Sequence, residues 1–189
     1  MIDKQKKMAY TSFMNSQITD AISCSMRGFR LPRYHEIPNV GLYLEQTTKY
    51  VNQCIAPLGF EDVTSSMIRN YVKHGLITNP IQKQYSADQI AHLIVLALLK
   101  QVTPLEHINS LFLLLNERNT YTVPVAYDYF CEELENILHF RFGFKNTIDD
   151  VGITSSIEKE MLRSAVTAVS HIVYLNRCFQ ILSQNKASE

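Results

Sequence analysis

Thr64-Ser65-Ser66-Met67-Ile68-Arg69-Asn70-Tyr71-Val72-Lys73-His74-Gly75 holds the residue types that could do chemistry at closest spacing. Small polar residues such as Thr64, Ser65 and Ser66 at a helix start leave its free N–H groups open to phosphate. Arg69 and Asn70 carry the side chains that bond base edges in a major groove. Lys73 and Lys83 place cations on the flanks. The Tyr85 hydroxyl suits either phosphate contact or packing. From Val63 to Ala87 the charged residues are Arg69, Lys73 and Lys83, with no acid among them. This order of groups points to double-stranded DNA. The plainer alternative is a solvated face on a structural helix.

Other chemistries find little support. The six histidines show no HExxH or other ligand spacing, and Cys24, Cys54, Cys131 and Cys178 form no paired metal or redox motif. No glycine-rich phosphate loop and no nucleophile motif is present. Glu132-Glu133 reads as the polar edge of an amphipathic helix. We therefore expect no catalytic residues, no metal and no cofactor.

The 189 residues are 46% hydrophobic and 19% charged, with zero formal net charge and a pI near 7.0. That is a globular composition, and its neutrality argues against a broadly basic nucleic-acid binder. The charge is unevenly spread, however. Six cations face two acids from Met1 to Arg33, and three cations face eight acids from Tyr121 to Glu160. A neutral chain can still present a basic face. No signal-peptide pattern is read, and the longest apolar run, Leu93 to Leu99, is too short to span a bilayer. The expectation is a soluble cytoplasmic protein with no membrane partner.

The elements that must position these residues follow from apolar period and punctuation. Residues 1–30 read as a weak helix or mobile arm. Leu44, Thr48, Val51 and Ile55 predict a helix over about 41–55, ended by Pro57 and Gly59. Thr64 is the N-cap and Gly75 the left-handed end of the next helix. A proline-containing loop follows, and Ser86 caps a strongly apolar helix. Thr103-Pro104-Leu105-Glu106 predicts a capping box for another, fading near Arg118. Pro124 to about His139 is the next. Ser155 and Glu158 open the longest helix, to about Leu182. Within it Met161, Ala165, Ala168, Ile172, Leu175 and Phe179 step by three and four, as a helix-pairing seam does. Leu162, Val166, Val169 and Val173 form a second stripe, so one part packs on its own chain and another is free for a partner.

Short helix, glycine turn, loop and buried helix make a winged helix-turn-helix order. Ile68-Arg69-Asn70-Tyr71, then Gly75-Leu76-Ile77, Tyr85-Ser86, Asp88, Leu93, Thr103, Leu105 and Ile108, resembles the mercury-resistance-regulator (MerR) family of transcription factors. Leu31-Pro32-Arg33, Ile37-Pro38, Leu42-Tyr43, Gln46, Thr64 to Ile68, Asn70 to Lys73 and Tyr85 through Val102 resemble a bacterial family, domain of unknown function 1836. The first resemblance implies DNA contacts at Thr64, Ser65, Ser66, Arg69, Asn70, Lys73, Lys83 and Tyr85. No cysteine stands where that family senses metal. The chain is expected to be all-α. A MerR-like winged helix-turn-helix would span 31–118, and a helical dimerisation or effector unit with one long helix would span 121–184. The function expected is a homodimeric transcriptional regulator, with a small-molecule effector as a further partner. The alternative is a non-catalytic interaction module that keeps the fold without DNA.

Overall fold

The structure, a computed structural model, describes residues 16–117, 121–151 and 156–186. It is mainly helical. Helix α1 (16–24) leads through a 3-10 turn at Tyr34–Glu36 to strand β1 (Leu42–Tyr43) and helix α2 (Leu44–Ile55). A second 3-10 turn (Ala56–Leu58) precedes α3 (Ser65–Lys73), and β2 (Gln84–Tyr85) precedes α4 (Ala87–Leu99). Then come α5 (Leu105–Glu117), α6 (Val123–Arg141) and α7 (Ile157–Lys186). The strands form one antiparallel ribbon, with Leu42 opposite Tyr85 and Tyr43 opposite Gln84. That ribbon is why α2 starts at Leu44 and not at Gly41.

The capping signals work in most places. Thr64 Oγ1 accepts from the Met67 N–H at 3.2 Å. Ser86 and Gln89 form a reciprocal capping box. At α5, Pro104 stands just before the first helical residue, and its carbonyl accepts from the Ile108 N–H at 3.2 Å. The Thr103 hydroxyl meets the His107 ring instead of closing a box with Glu106. At α7 the cap is Ser156, whose Oγ accepts from the Lys159 N–H at 3.2 Å. Ser155 lies outside the described residues, as do residues 1–15 of the expected arm. The described part of that arm is helical over 16–24, and Ile22 and, in the turn that follows, Met26 are buried.

Helix α4 is the centre of the core. Every residue from Gln89 to Leu99 except His92 is buried. A helix that is apolar around most of its circumference needs cover on several sides. Helix α2 packs against it, and so do α6 and α7. Leu93, Ile94, Leu96 and Leu98 thus share one core cluster with Val51, Leu134 and Val169.

The segment from Leu31 to Glu36 ties these covers together. Arg33 meets the Glu135 carboxylate with two bonds, Nη1 to Oε1 at 2.7 Å and Nη2 to Oε2 at 2.6 Å. The Leu31 N–H donates to the same carboxylate at 2.9 Å. Those bonds hold the Arg33 guanidinium further above its already high range. The Tyr34 N–H donates to Asp128 Oδ1 at 2.7 Å, and its hydroxyl to Asp88 Oδ1 at 2.5 Å. Burial first, and the Asp88 bond second, push the Tyr34 hydroxyl up to about 12. One short segment therefore fastens α6 to the first turn of α4.

Glu135→Ala leaves a largely buried guanidinium and a buried N–H unbonded. It should cost about 3 kcal/mol by urea unfolding, whereas Arg33→Met with Glu135→Leu should recover much of the loss. Equal losses in the single and double variants would show that the pair does not hold the segment.

Candidate nucleic-acid interface

Helix α3 is positioned from both ends. Ahead of it, Asn52 on α2 clamps the loop: Nδ2 donates to the Val63 carbonyl at 2.9 Å, and Oδ1 accepts from the Val63 N–H at 2.8 Å. At its far end Gly75 has φ of +73°. The Leu76 N–H reaches the Tyr71 carbonyl and the Gly75 N–H the Val72 carbonyl, the two bonds of a Schellman end. Gln89 on α4 then donates to the Thr78 carbonyl at 2.7 Å, which fixes where the chain goes next. The inner face of α3 buries Ile68 and Tyr71.

The outer face carries Ser66, Arg69, Asn70 and Lys73, all exposed. Their spacing of three, four and seven places them on one side of the helix. Thr64 is exposed too, with its hydroxyl occupied by the cap. Arg69, Lys73 and Lys83 have no ion-pair partner among the described residues. Two other residues expected to touch DNA are placed otherwise. Ser65 is half-buried, donating to Glu45 Oε1 at 2.9 Å and sharing a bond with the Thr48 hydroxyl at 3.0 Å. Tyr85 is only 4% exposed. Its hydroxyl is pushed up by burial, against the nearby Arg69 cation, so α3 and the ribbon are electrostatic neighbours. Glu61 and Asp62 stand exposed just before the cap and the exposed Glu45 meets Ser65, so acids border the start of α3 while its own residues carry none.

Lys83 sits at the tip of the ribbon. Ile81 and Gln84 bridge, and the Gln84 N–H donates to the Ile81 carbonyl at 2.9 Å. The two residues between them, Gln82 and Lys83, have φ of +51° and +66°. Both central positions of this tight turn are left-handed, as a primed hairpin turn demands, yet neither is Gly or Asn. Beneath the tip, a Cβ on Gly41 would lie 2.7 Å from the Gln84 Cβ. Only glycine lets the backbone pass there. Beside the tip Tyr43 and Ile81 are exposed, Ile81 by 81%, and so is Val40 just before β1.

The second candidate surface is on α7. Val166, Val169 and Val173 are buried against the rest of the chain. The neighbouring stripe is not. Met161 is 42% exposed, Leu175 51% and Phe179 65%, with Ala168 exposed and Ala165 and Ile172 half-buried. Ile157 and Leu182 extend the open row at its two ends. Arg177, between two of these residues, donates to the Pro57 carbonyl in the turn between α2 and α3.

The sequence reading missed two buried carboxylates. Of the expected polar edge Glu132-Glu133 only Glu132 is exposed; Glu133 is buried, and so is Glu135 two positions on. Each faces an arginine distant in sequence, Arg163 and Arg33. No local pattern carries such a pairing. Among the described residues no His, Cys, Asp and Glu group is arranged to hold a metal. No helix among them is long and apolar enough to cross a membrane.

Fold and surface together define a helical protein in which two helices joined by a clamped turn lead into a two-stranded ribbon. Residues 32–130, 99 of the 189, match the family described as Domain of unknown function (DUF1836), and the chain belongs to that family. No curated protein matches it, and no solved structure does.

The turn geometry is testable. Lys83→Gly should raise stability by about 0.5–1 kcal/mol, since glycine takes the left-handed position without the steric cost. Gly41→Ala should lower it by about 1–3 kcal/mol through the clash with Gln84. Urea midpoints that move in the opposite senses would contradict the ribbon geometry.

Proposed function

We propose that the chain is a non-enzymatic DNA-binding transcriptional regulator of MerR-like type, acting in the cytoplasm as a homodimer. One observation carries the reading: Ser66, Arg69, Asn70 and Lys73 share an exposed side of α3 whose cations have no ion-pair partner among the described residues. Such a helix suits a major groove, with Arg69 and Asn70 toward base edges and Lys73 toward phosphate. Lys83 at the ribbon tip suits phosphate beside it. Thr64 and Ser66 stand at the start of the helix, where a phosphate could approach. Ser65 and Tyr85 position the reading face from behind.

The open row on α7 supports the dimer. Met161, Ser164 and Ala168 lie in its first half and Leu175, Phe179 and Leu182 in its second. Antiparallel pairing about a two-fold axis between His171 and Ile172 sets Ala168 against Leu175 of the second copy. It sets Ser164 against Phe179 and Met161 against Leu182. Small then meets large in the two inner pairs, and Met161 packs on Leu182 at each end. The seam is about 30 Å long at 1.5 Å per residue. A two-fold dimer would present two copies of α3 to a palindromic site.

A second reading has its own observation. Exposed Val40, Tyr43 and Ile81 at the ribbon, with Glu61 and Asp62 beside α3, suit an interaction module that binds protein and not DNA.

Selection of duplexes from a random library at stated salt separates the two. Under the DNA reading Arg69→Ala should weaken the selected site by about 1–3 kcal/mol. Lys83→Ala should weaken all duplexes alike and flatten the salt dependence by about one unit of slope. If neither change alters gel retardation at low salt, the DNA reading is lost. For the dimer, Leu175→Glu should yield a folded monomer, since Leu175 is half open in the single chain. Sedimentation with circular dichroism checks this, and a variant that remains dimeric would place the interface elsewhere.

A further inference from the structure

Between α5, α6 and α7 lies a cleft with two lobes that share Leu115, Tyr121, Ala126 and Leu162. The first lobe reaches toward α4 and is apolar, walled by Val95, Phe112 and Phe130, with a volume of about 100 Å³. The second, about 130 Å³, is walled by Tyr129, Val151 and the charged residues Glu133, Lys159 and Arg163. Tyr121 and Tyr129 meet edge to face beside it, their ring centres 5.4 Å apart. An apolar cavity of about 150 Å³ holds benzene, so the two adjoining lobes together have room for one small ring carrying a short chain.

Glu133 makes the second lobe more than a packing gap. It is 5% exposed. Arg163 Nε lies 2.8 Å from its Oε1, an ion-pair distance, but off the line of a hydrogen bond, and neither carboxylate oxygen has a hydrogen-bond donor. A buried carboxylate oxygen without a donor is costly and uncommon. The cations around it have other acceptors. Arg163 donates to the Asp149 carbonyl at 2.8 Å and to Asp150 Oδ1 at 3.4 Å, and Lys159 to Asp150 Oδ1 at 2.8 Å. What the lobe offers a guest is an acceptor, next to aromatic and aliphatic walls.

We infer that this cleft binds a small hydrophobic amine, its aromatic or aliphatic body in the lobe lined by Val95, Phe112 and Phe130 and its nitrogen donating to Glu133. The ammonium gives the carboxylate a donor that it lacks, while Arg163 keeps its other acceptors. A carboxylate guest would meet Glu133 with like charge and find both neighbouring cations engaged. The site stands whether or not the chain binds DNA. In a regulator it would be the effector site, since it lies between α7, with its open row, and α4, which carries the ribbon at its start.

The test is calorimetric titration of the full chain with three probes of one shape: 4-phenylbutylamine, 4-phenylbutanol and 4-phenylbutanoate. The amine should bind at least tenfold more tightly than the acid, with the alcohol between. Glu133→Gln should weaken the amine about tenfold or more and change the alcohol less than threefold. Ala126→Phe, at an exposed position shared by both lobes, should block all three. That variant still decides the matter if Glu133→Gln does not fold. Failure of the amine to bind at millimolar concentration, equal binding of the acid, or amine binding unchanged in Ala126→Phe would each overturn the inference. Duplex retardation by the same proteins reports separately on the DNA reading.

Discussion

The bidentate bond between Arg33 and Glu135 is the constraint on which the arrangement of the helices depends. An apolar helix such as α4 gains its stability from being covered, and the covers come from distant parts of the chain. Arg33, with Leu31 just before it, joins the α2–α3 side of the chain to α6. With its guanidinium on Glu135, the Leu31 N–H on the same carboxylate and Tyr34 spanning Asp128 and Asp88, α6 has one register against α4. Hydrophobic burial is non-directional and would accept several registers. The directional bonds choose among them. From α4 the order passes through Ser86 to the ribbon, and through Gln89 to the loop after α3.

Helix α6 repeats the device on its other side. Glu133 and Glu135 are two residues apart, so their side chains leave the helix about 200° from each other. One faces Arg33 and the other Arg163 on α7. The two pairs differ in completeness. Glu135 has three donors and is a structural joint, whereas Glu133 has an ion pair but no hydrogen bond. Burial pushes the Glu133 carboxyl up, against the pull of Arg163. The incomplete joint lines the cleft between α5, α6 and α7.

Much of this was legible in the sequence wherever the determinant was local. Thr64, Gly75 and Ser86 each act through bonds to residues at most five positions away, and each stands where its type predicts. The apolar period marked α2, α3, α4, α6 and α7. It also separated the two stripes of α7: Val166, Val169 and Val173 turn inward, and Leu175 and Phe179 outward. Reading failed where the deciding partner was remote. Tyr85 looks as much like a phosphate ligand as a core residue until its strand pairs with Leu42. Glu133 looks like a solvated acid until Arg163, thirty positions on, comes against it. Thr103 has the letters of a capping box, but the helix begins a residue later and the hydroxyl turns to His107.

The edge of the family resemblance falls at residue 130, part-way along α6, and five residues short of Glu135. Similarity between relatives and cooperative folding therefore have different limits in this chain. A fragment cut to the matched span would lose the acceptor that holds Arg33 and would strip Leu134, Val166, Val169 and Val173 from around α4. Its newly bared apolar surface would favour aggregation. The matched half is in this sense a dependent part: it carries the exposed side of α3, and it borrows its rigidity from the half beyond the match.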